Sequence, residues 1–208
     1  MLAGLVYSAV VGVAHFMTKR AVCQNSRKPT TDSQAVPQLH QIQIQFVPRE
    51  DRILLRIKTT DKSEFRFWMT RRYVKLLWPV VVKMLEADQQ IQLQEDQAAK
   101  SAVLSFQHEK ALQESDFSTQ FAEDSSNLPL GETPVLLARI QLKRRDDGGN
   151  LLCMHPEKGE GVELGLNEVL LHSFSKLLTD AVSVSAWDID LKISRQTMGE
   201  ETAPDRVN

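Results

Sequence analysis

Cysteine is scarce in this chain: Cys23 and Cys153 are the only two in 208 residues. They stand in unrelated surroundings and form no Cys-x-x-Cys pair, which excludes a disulfide framework and makes a reducing, cytoplasmic setting the simpler expectation. Catalytic signatures are missing too. There is no GxxxxGK[ST] phosphate loop, no GxGxxG after a strand, no HExxH pair and no GxSxG elbow. The histidines, His15, His40, His108, His155 and His172, are scattered. Cys153 and His155 are the only close Cys/His pair and would share one face of a short strand, but no further ligand stands near them in sequence. The expectation is a non-enzymatic binding protein with no catalytic residues, no metal and no cofactor, although catalytic groups gathered from distant segments would escape such a reading.

No apolar run reaches the roughly 20 residues of a membrane span. The nearest is Met1 to Phe16, uncharged apart from His15 and followed by Lys19 and Arg20. A secretory signal carries its positive charges before the apolar run, so this order argues against one. Two readings stand: a short signal anchor with its basic side cytoplasmic, touching a membrane through residues 1–16, or a surplus stretch ahead of a true start at Met17.

What the chain does contain is a near-copy of itself. Ile53 to Val82 aligns without a gap on Asn150 to Thr179 at a constant offset of 97 positions. Leu54 and Leu55 fall on Leu151 and Leu152, Phe67 on Leu164, Met69 on Leu166, Thr70 on Asn167, and Leu77 on Phe174. Self-similarity of this kind decides architecture before any local feature does. In the first copy, Gln41 to Phe46 alternates strictly, Ile53 to Lys58 and Glu64 to Met69 read as two further strands, and Thr70 caps a helix with Met69 and Val74 as its hydrophobic staple. In the second, Val135 to Lys143, Leu151 to His155 and Gly161 to Gly165 precede a helix over Glu168 to Val182, capped by Asn167.

The predicted fold is therefore α+β: an internal duplication of two β-β-β-α units, 40–85 and 133–195, packed as a pseudo-twofold pair. An alternating final strand, Ser185 to Ile193, follows the second helix. Between the units, Glu86 to Gln113 reads as a helical continuation and Glu114 to Glu132 as an acidic linker. Residues 1–39 form the apolar segment and a disordered lead-in, and the chain after Arg195 a disordered tail.

Charge is divided along the chain. His40 to Leu85 holds ten Lys/Arg against four Asp/Glu, whereas Glu86 to Glu132 holds two against ten. If Ile42, Ile44, Phe46, Leu55, Ile57, Phe65 and Phe67 face the helix, alternation turns Gln43, Gln45, Arg56, Lys58, Arg66 and Trp68 to the other side. Cations for phosphate, amides for bases and an aromatic platform make up the equipment of single-strand nucleic-acid binding. A solvated sheet face with a modest charge excess is the plain alternative. The acidic linker is a candidate cover for this face, competing with phosphate.

The first helix is apolar on nearly every side, from Tyr73 through Trp78 and Val82 to Leu85, with Pro79 inside it as a source of a kink. It is expected either to be the shared core of the two units or to present Tyr73, Trp78 and Val82 to a protein partner or a second copy, as a homodimer. Over His40 to Leu85 and Thr133 to Val182, the tandem strand-and-helix units resemble the repeats of the PUR and Whirly nucleic-acid-binding families. That resemblance is topological. It implies a curved sheet that binds single strands and helices that mediate pairing, with four strands ahead of each helix where three are legible here.

Overall fold

The computed structural model describes residues 7–17, 38–124, 127–144 and 149–193, and among these described residues the fold is α+β with eight strands and four helices. The strands are β1 (Tyr7–Met17), β2 (Gln38–Val47), β3 (Arg52–Thr59), β4 (Glu64–Met69), β5 (Val135–Leu136), β6 (Arg139–Arg144), β7 (Asn150–His155) and β8 (Val162–Gly165). The helices are α1 (Arg71–Glu86), α2 (Gln89–Gln92), α3 (Gln97–Glu114) and α4 (Glu168–Ser183). Two antiparallel ladders, β2-β3-β4 and β6-β7-β8, meet on β1, so the order across the sheet is β5-β4-β3-β2-β1-β8-β7-β6. Only the short β5 runs parallel to its neighbour, β4.

The two strand-and-helix units share their register. Leu55 faces Phe67 and Arg56 faces Arg66 across β3 and β4; Leu152 faces Leu164 and Cys153 faces Glu163 across β7 and β8, each pair 97 positions after its counterpart. α1 and α4 are both 16 residues long and keep the same offset. Thr70 Oγ1 accepts from the Tyr73 amide at 3.2 Å and Asn167 Oδ1 from the Leu170 amide at 2.8 Å, so each side chain satisfies one of the orphan donors of a first helical turn.

One core runs between the sheet and the helices. Ile42, Ile44, Leu55, Ile57 and Phe67 from one ladder and Leu152, Met154 and Leu164 from the other meet Val74, Leu77, Val81, Phe174 and Leu178. α1 is less uniform in burial than its composition predicts. Tyr73, Val74, Leu77, Trp78, Val81, Met84 and Leu85 are buried, Val82 is half-buried, and Leu76 is exposed.

Three sequence expectations differ from the structure. Tyr7–Met17 is a strand bonded to β2 on one side and β8 on the other, in place of the anchor or surplus stretch expected of residues 1–16. A continuous apolar run cannot be assigned by periodicity, because a central strand and a short span read alike. Among the described residues, no helix is long and apolar enough to cross a membrane. The helical continuation after α1 is broken into α2 and α3 by Asp88 and Asp96, each of which caps the next helix with its own carboxylate.

The third difference is Ser185 to Ile193, which forms no strand. Its alternation is real, with Trp187 and Leu191 buried and Asp188, Asp190 and Lys192 exposed. It docks through side chains instead: Trp187 packs edge-on against Phe46 with centroids 5.6 Å apart and donates from Nε1 to Asp51 at 2.7 Å. The disordered lead-in and tail expected at 19–39 and after 195 lie outside the described residues, except that Gln38 and Leu39 begin β2.

Candidate nucleic-acid interface

Alternation along β2, β3 and β4 places the hydrophobic set against the helices and sends Gln41, Gln43, Gln45, Arg56, Lys58, Glu64, Arg66 and Trp68 to the outer face. Register brings them together in pairs: Gln43 beside Arg56, Arg56 beside Arg66, and Lys58 beside Glu64. All six residues selected from the sequence, Gln43, Gln45, Arg56, Lys58, Arg66 and Trp68, therefore share one surface. Gln43, Arg56 and Lys58 are buried there, whereas Gln45, Arg66 and Trp68 are half-buried.

The burial comes from the acidic linker. After α3 the chain turns at Asp116, whose carboxylate accepts from the Ser118 and Thr119 amides. It then crosses the face as a strap, 116–124, and Asn127 beyond it bridges to Ser63 at the start of β4. Gln41 clamps the strap backbone twice, donating from Nε2 to the Gln120 carbonyl at 3.2 Å and accepting from the Ala122 amide at 3.1 Å. Lys58 donates to the Ala122 carbonyl at 2.9 Å and pairs with Asp124. Arg56 forks onto Glu123 at 2.7 and 2.8 Å and lies over the Phe121 ring, 4.2 Å from its centroid.

Electrostatically the face is matched within the chain. Glu64, buried at the base, takes Arg56 Nε and Arg66 Nε, each at 2.7 Å. Burial pulls the Arg56 pKa down, but the hydrogen bonds to Glu123 and Glu64 outweigh it and hold the guanidinium above its ordinary value. The bond from Arg56 keeps the Glu123 carboxyl below the usual range, and Lys58 does the same for Asp124. Glu123 and Asp124 are nevertheless well exposed, at 71% and 60% of their side chains. The carboxylate end of each pair is thus open to solvent and screened, so the ion pairs add little to the strap's retention. Phe121, buried, contributes about 1.5–3 kcal/mol. The strap is thus held by a few kcal/mol, mainly through one ring and the backbone clamps.

Comparison with protein families, with characterised proteins and with solved structures finds no match.

Sequence reasoning missed three participants. Gln41 and Glu64 were available from the same alternation, two positions before Gln43 and Arg66. Phe121 carried no local signal, because an aromatic in a polar linker, like its neighbour Phe117, gains its role only from what the linker lies on. Of the residues offered as a partner surface on α1, Tyr73 and Trp78 point inward and bond to the chain's own carbonyls, Tyr73 Oη to Arg139 at 3.3 Å and Trp78 Nε1 to Lys192 at 3.3 Å. Val82 stands half-buried beside them.

Proposed function

We propose that this chain is a non-enzymatic binding protein that holds single-stranded nucleic acid on the outer face of β2, β3 and β4, and that the strap 116–124 competes with the ligand for that face. The observation carrying the reading is the strap's own chemistry. It sets an aromatic ring under Arg56, carboxylates on Arg56 and Lys58, and backbone polar groups on Gln41. A single strand offers the same three things in the same proximity: a base to stack, phosphates, and polar base or sugar edges.

The half of the face bearing Gln45, Arg66 and Trp68 is only half-buried. A strand lands there first and displaces the strap toward Lys58. Stacking contributes about 1–3 kcal/mol per base, which is comparable with what retains the strap, so a few nucleotides suffice. Four strands precede each helix, β1–β4 before α1 and β5–β8 before α4. That count, the shared offset of register and caps, and the resemblance to PUR and Whirly repeats support an origin by duplication within a nucleic-acid-binding architecture. A protein-interaction or homodimer role for α1 has less to draw on, since Tyr73 and Trp78 are engaged inside the chain.

The test is fluorescence anisotropy with labelled oligothymidylate across a salt series. Salt-dependent binding is expected, with Arg66→Ala reducing the slope of log K against log salt by about one and Trp68→Ala weakening binding by about 1–3 kcal/mol. Absence of binding at low salt, or affinity indifferent to both substitutions, overturns the reading.

A further inference from the structure

The geometry points to a zinc-type metal site formed by Cys153, His155 and Glu163 on the outer face of β7 and β8. Cys153 and Glu163 face each other directly across the two strands, and His155 follows Cys153 by two positions, so alternation places all three side chains on one side of the sheet. A sulfur, an imidazole nitrogen and a carboxylate oxygen lie within 4.8 Å of one another. They occupy the positions that Arg56, Lys58 and Arg66 hold in the first unit, 97 residues earlier, so donors stand where the first sheet carries cations.

The donor set selects the ion. A thiolate, an imidazole and a carboxylate suit zinc, whereas magnesium and calcium take oxygen ligands alone. Tetrahedral zinc with bonds of about 2.0–2.3 Å sets its ligand atoms roughly 3.3–3.8 Å apart. The 4.8 Å limit leaves at most about 1–1.5 Å to close, a contraction that side-chain rotation supplies. Cys153 is fully buried and Glu163 nearly so. His155 is the partly open member, leaving a fourth position for water.

A cation already sits against this trio: Lys143 Nζ is 2.8 Å from Glu163 Oε1, and its side chain is 42% exposed. Lys143 can withdraw into solvent on its flexible stem. Zinc binding then replaces one ammonium, the Cys153 thiol releases its proton to solvent, and thiolate plus carboxylate balance the two charges of the ion. Gly161 supports the arrangement from behind, since a Cβ there would lie 2.6 Å from His155 Nδ1.

The experiment titrates the metal-free full chain with cobalt(II), then zinc(II). The expected result is one cobalt per chain, a thiolate-to-cobalt charge-transfer band with the intense visible bands of tetrahedral cobalt, their loss on adding zinc, and proton release on binding. Cys153→Ser should abolish the charge-transfer band, and Cys23→Ser should leave it intact. Lys143→Met, which removes this cation without touching a ligand, should tighten binding several-fold. No charge-transfer band in either the wild type or Lys143→Met, or a band that survives Cys153→Ser, overturns the proposal.

Discussion

Arg56 grips Glu123 with both arms of its guanidinium, Nη1 at 2.7 Å from one carboxylate oxygen and Nη2 at 2.8 Å from the other. The two residues lie 67 positions apart, one on the central strand of the first ladder and the other on the strap. This bond links the outer face of the first ladder to the acidic linker, and it is the contact that the proposed ligand would have to displace.

The strap should loosen in acid. Glu123 and Asp124 both titrate below their ordinary values, because Arg56 and Lys58 favour their charged forms. A depressed carboxylate stabilises the folded arrangement at pH above its unfolded value, and that contribution is lost as pH falls through the lowered one. Phosphodiesters stay charged over the same window. Affinity for oligothymidylate, whose bases do not take up protons there, is therefore expected to rise as pH falls below the usual carboxylate range; anisotropy at constant ionic strength reads it. A flat or falling profile would mean that these carboxylates do not guard the face.

Folding stability should fall in a higher window for a different reason. His108 and His172 meet between α3 and α4 with their Nδ1 atoms 3.1 Å apart. Burial, reinforced by His108, pushes His172 down to about 4, and burial with Lys176 lowers His108. A histidine with a depressed folded pKa binds its proton more readily when unfolded, so stability is complete above the unfolded value and declines as pH drops below it. For His172, 2% exposed, the loss between about pH 6.5 and 4 is on the order of 3 kcal/mol. Urea midpoints should drift down across that range and flatten in His172→Phe; identical slopes for the two proteins would refute the assignment.

The caps offer a local check on the paired units. Thr70→Ala and Asn167→Ala should each destabilise by about 1 kcal/mol, within a range of about 0.5–2, by orphaning one amide of α1 or α4. Chemical denaturation measures both. An effect at one site and none at the other would show that the two helix starts are not energetically equivalent.

Gly161→Ala should cost more than a surface change. Its Cβ would lie 2.2 Å from the Met154 carbonyl oxygen and 2.6 Å from His155 Cα. Backbone must therefore shift, at about 1–3 kcal/mol. A melting temperature equal to wild type would contradict this close approach.

Much of this was legible in the sequence because strands and helices write their periods locally. The strict alternation of Gln41 to Phe46, the caps Thr70 and Asn167, and the helical pattern over Glu168 to Val182 reported β2, α1 and α4 directly. The outer face was legible as a list of residues for the same reason. Its occupancy was not, since the bond from Arg56 to Glu123 depends on where the linker returns, and that is a tertiary fact. β1 was hidden by its uniform apolarity, which has no period to read. Ser185 to Ile193 misled in the opposite direction: an irregular segment docked through Trp187 and Leu191 alternates in burial as a strand does, without strand geometry. Glu163 escaped notice as a companion of Cys153 because the two are joined by register across β7 and β8, although the offset of 97 from Arg66 opposite Arg56 was there to find.

The central claim is that the strap and a single strand compete for one face, and the most direct measurement is the affinity of Glu123→Gln/Asp124→Asn for labelled oligothymidylate beside wild type, across a salt series. Both substitutions keep the shape of the strap while removing the charges that hold Arg56 and Lys58. Without those two charges the variant should bind several-fold more tightly, with a steeper salt dependence as Arg56 and Lys58 become available to phosphate. Equal affinity and equal salt slope in the two proteins would contradict the account.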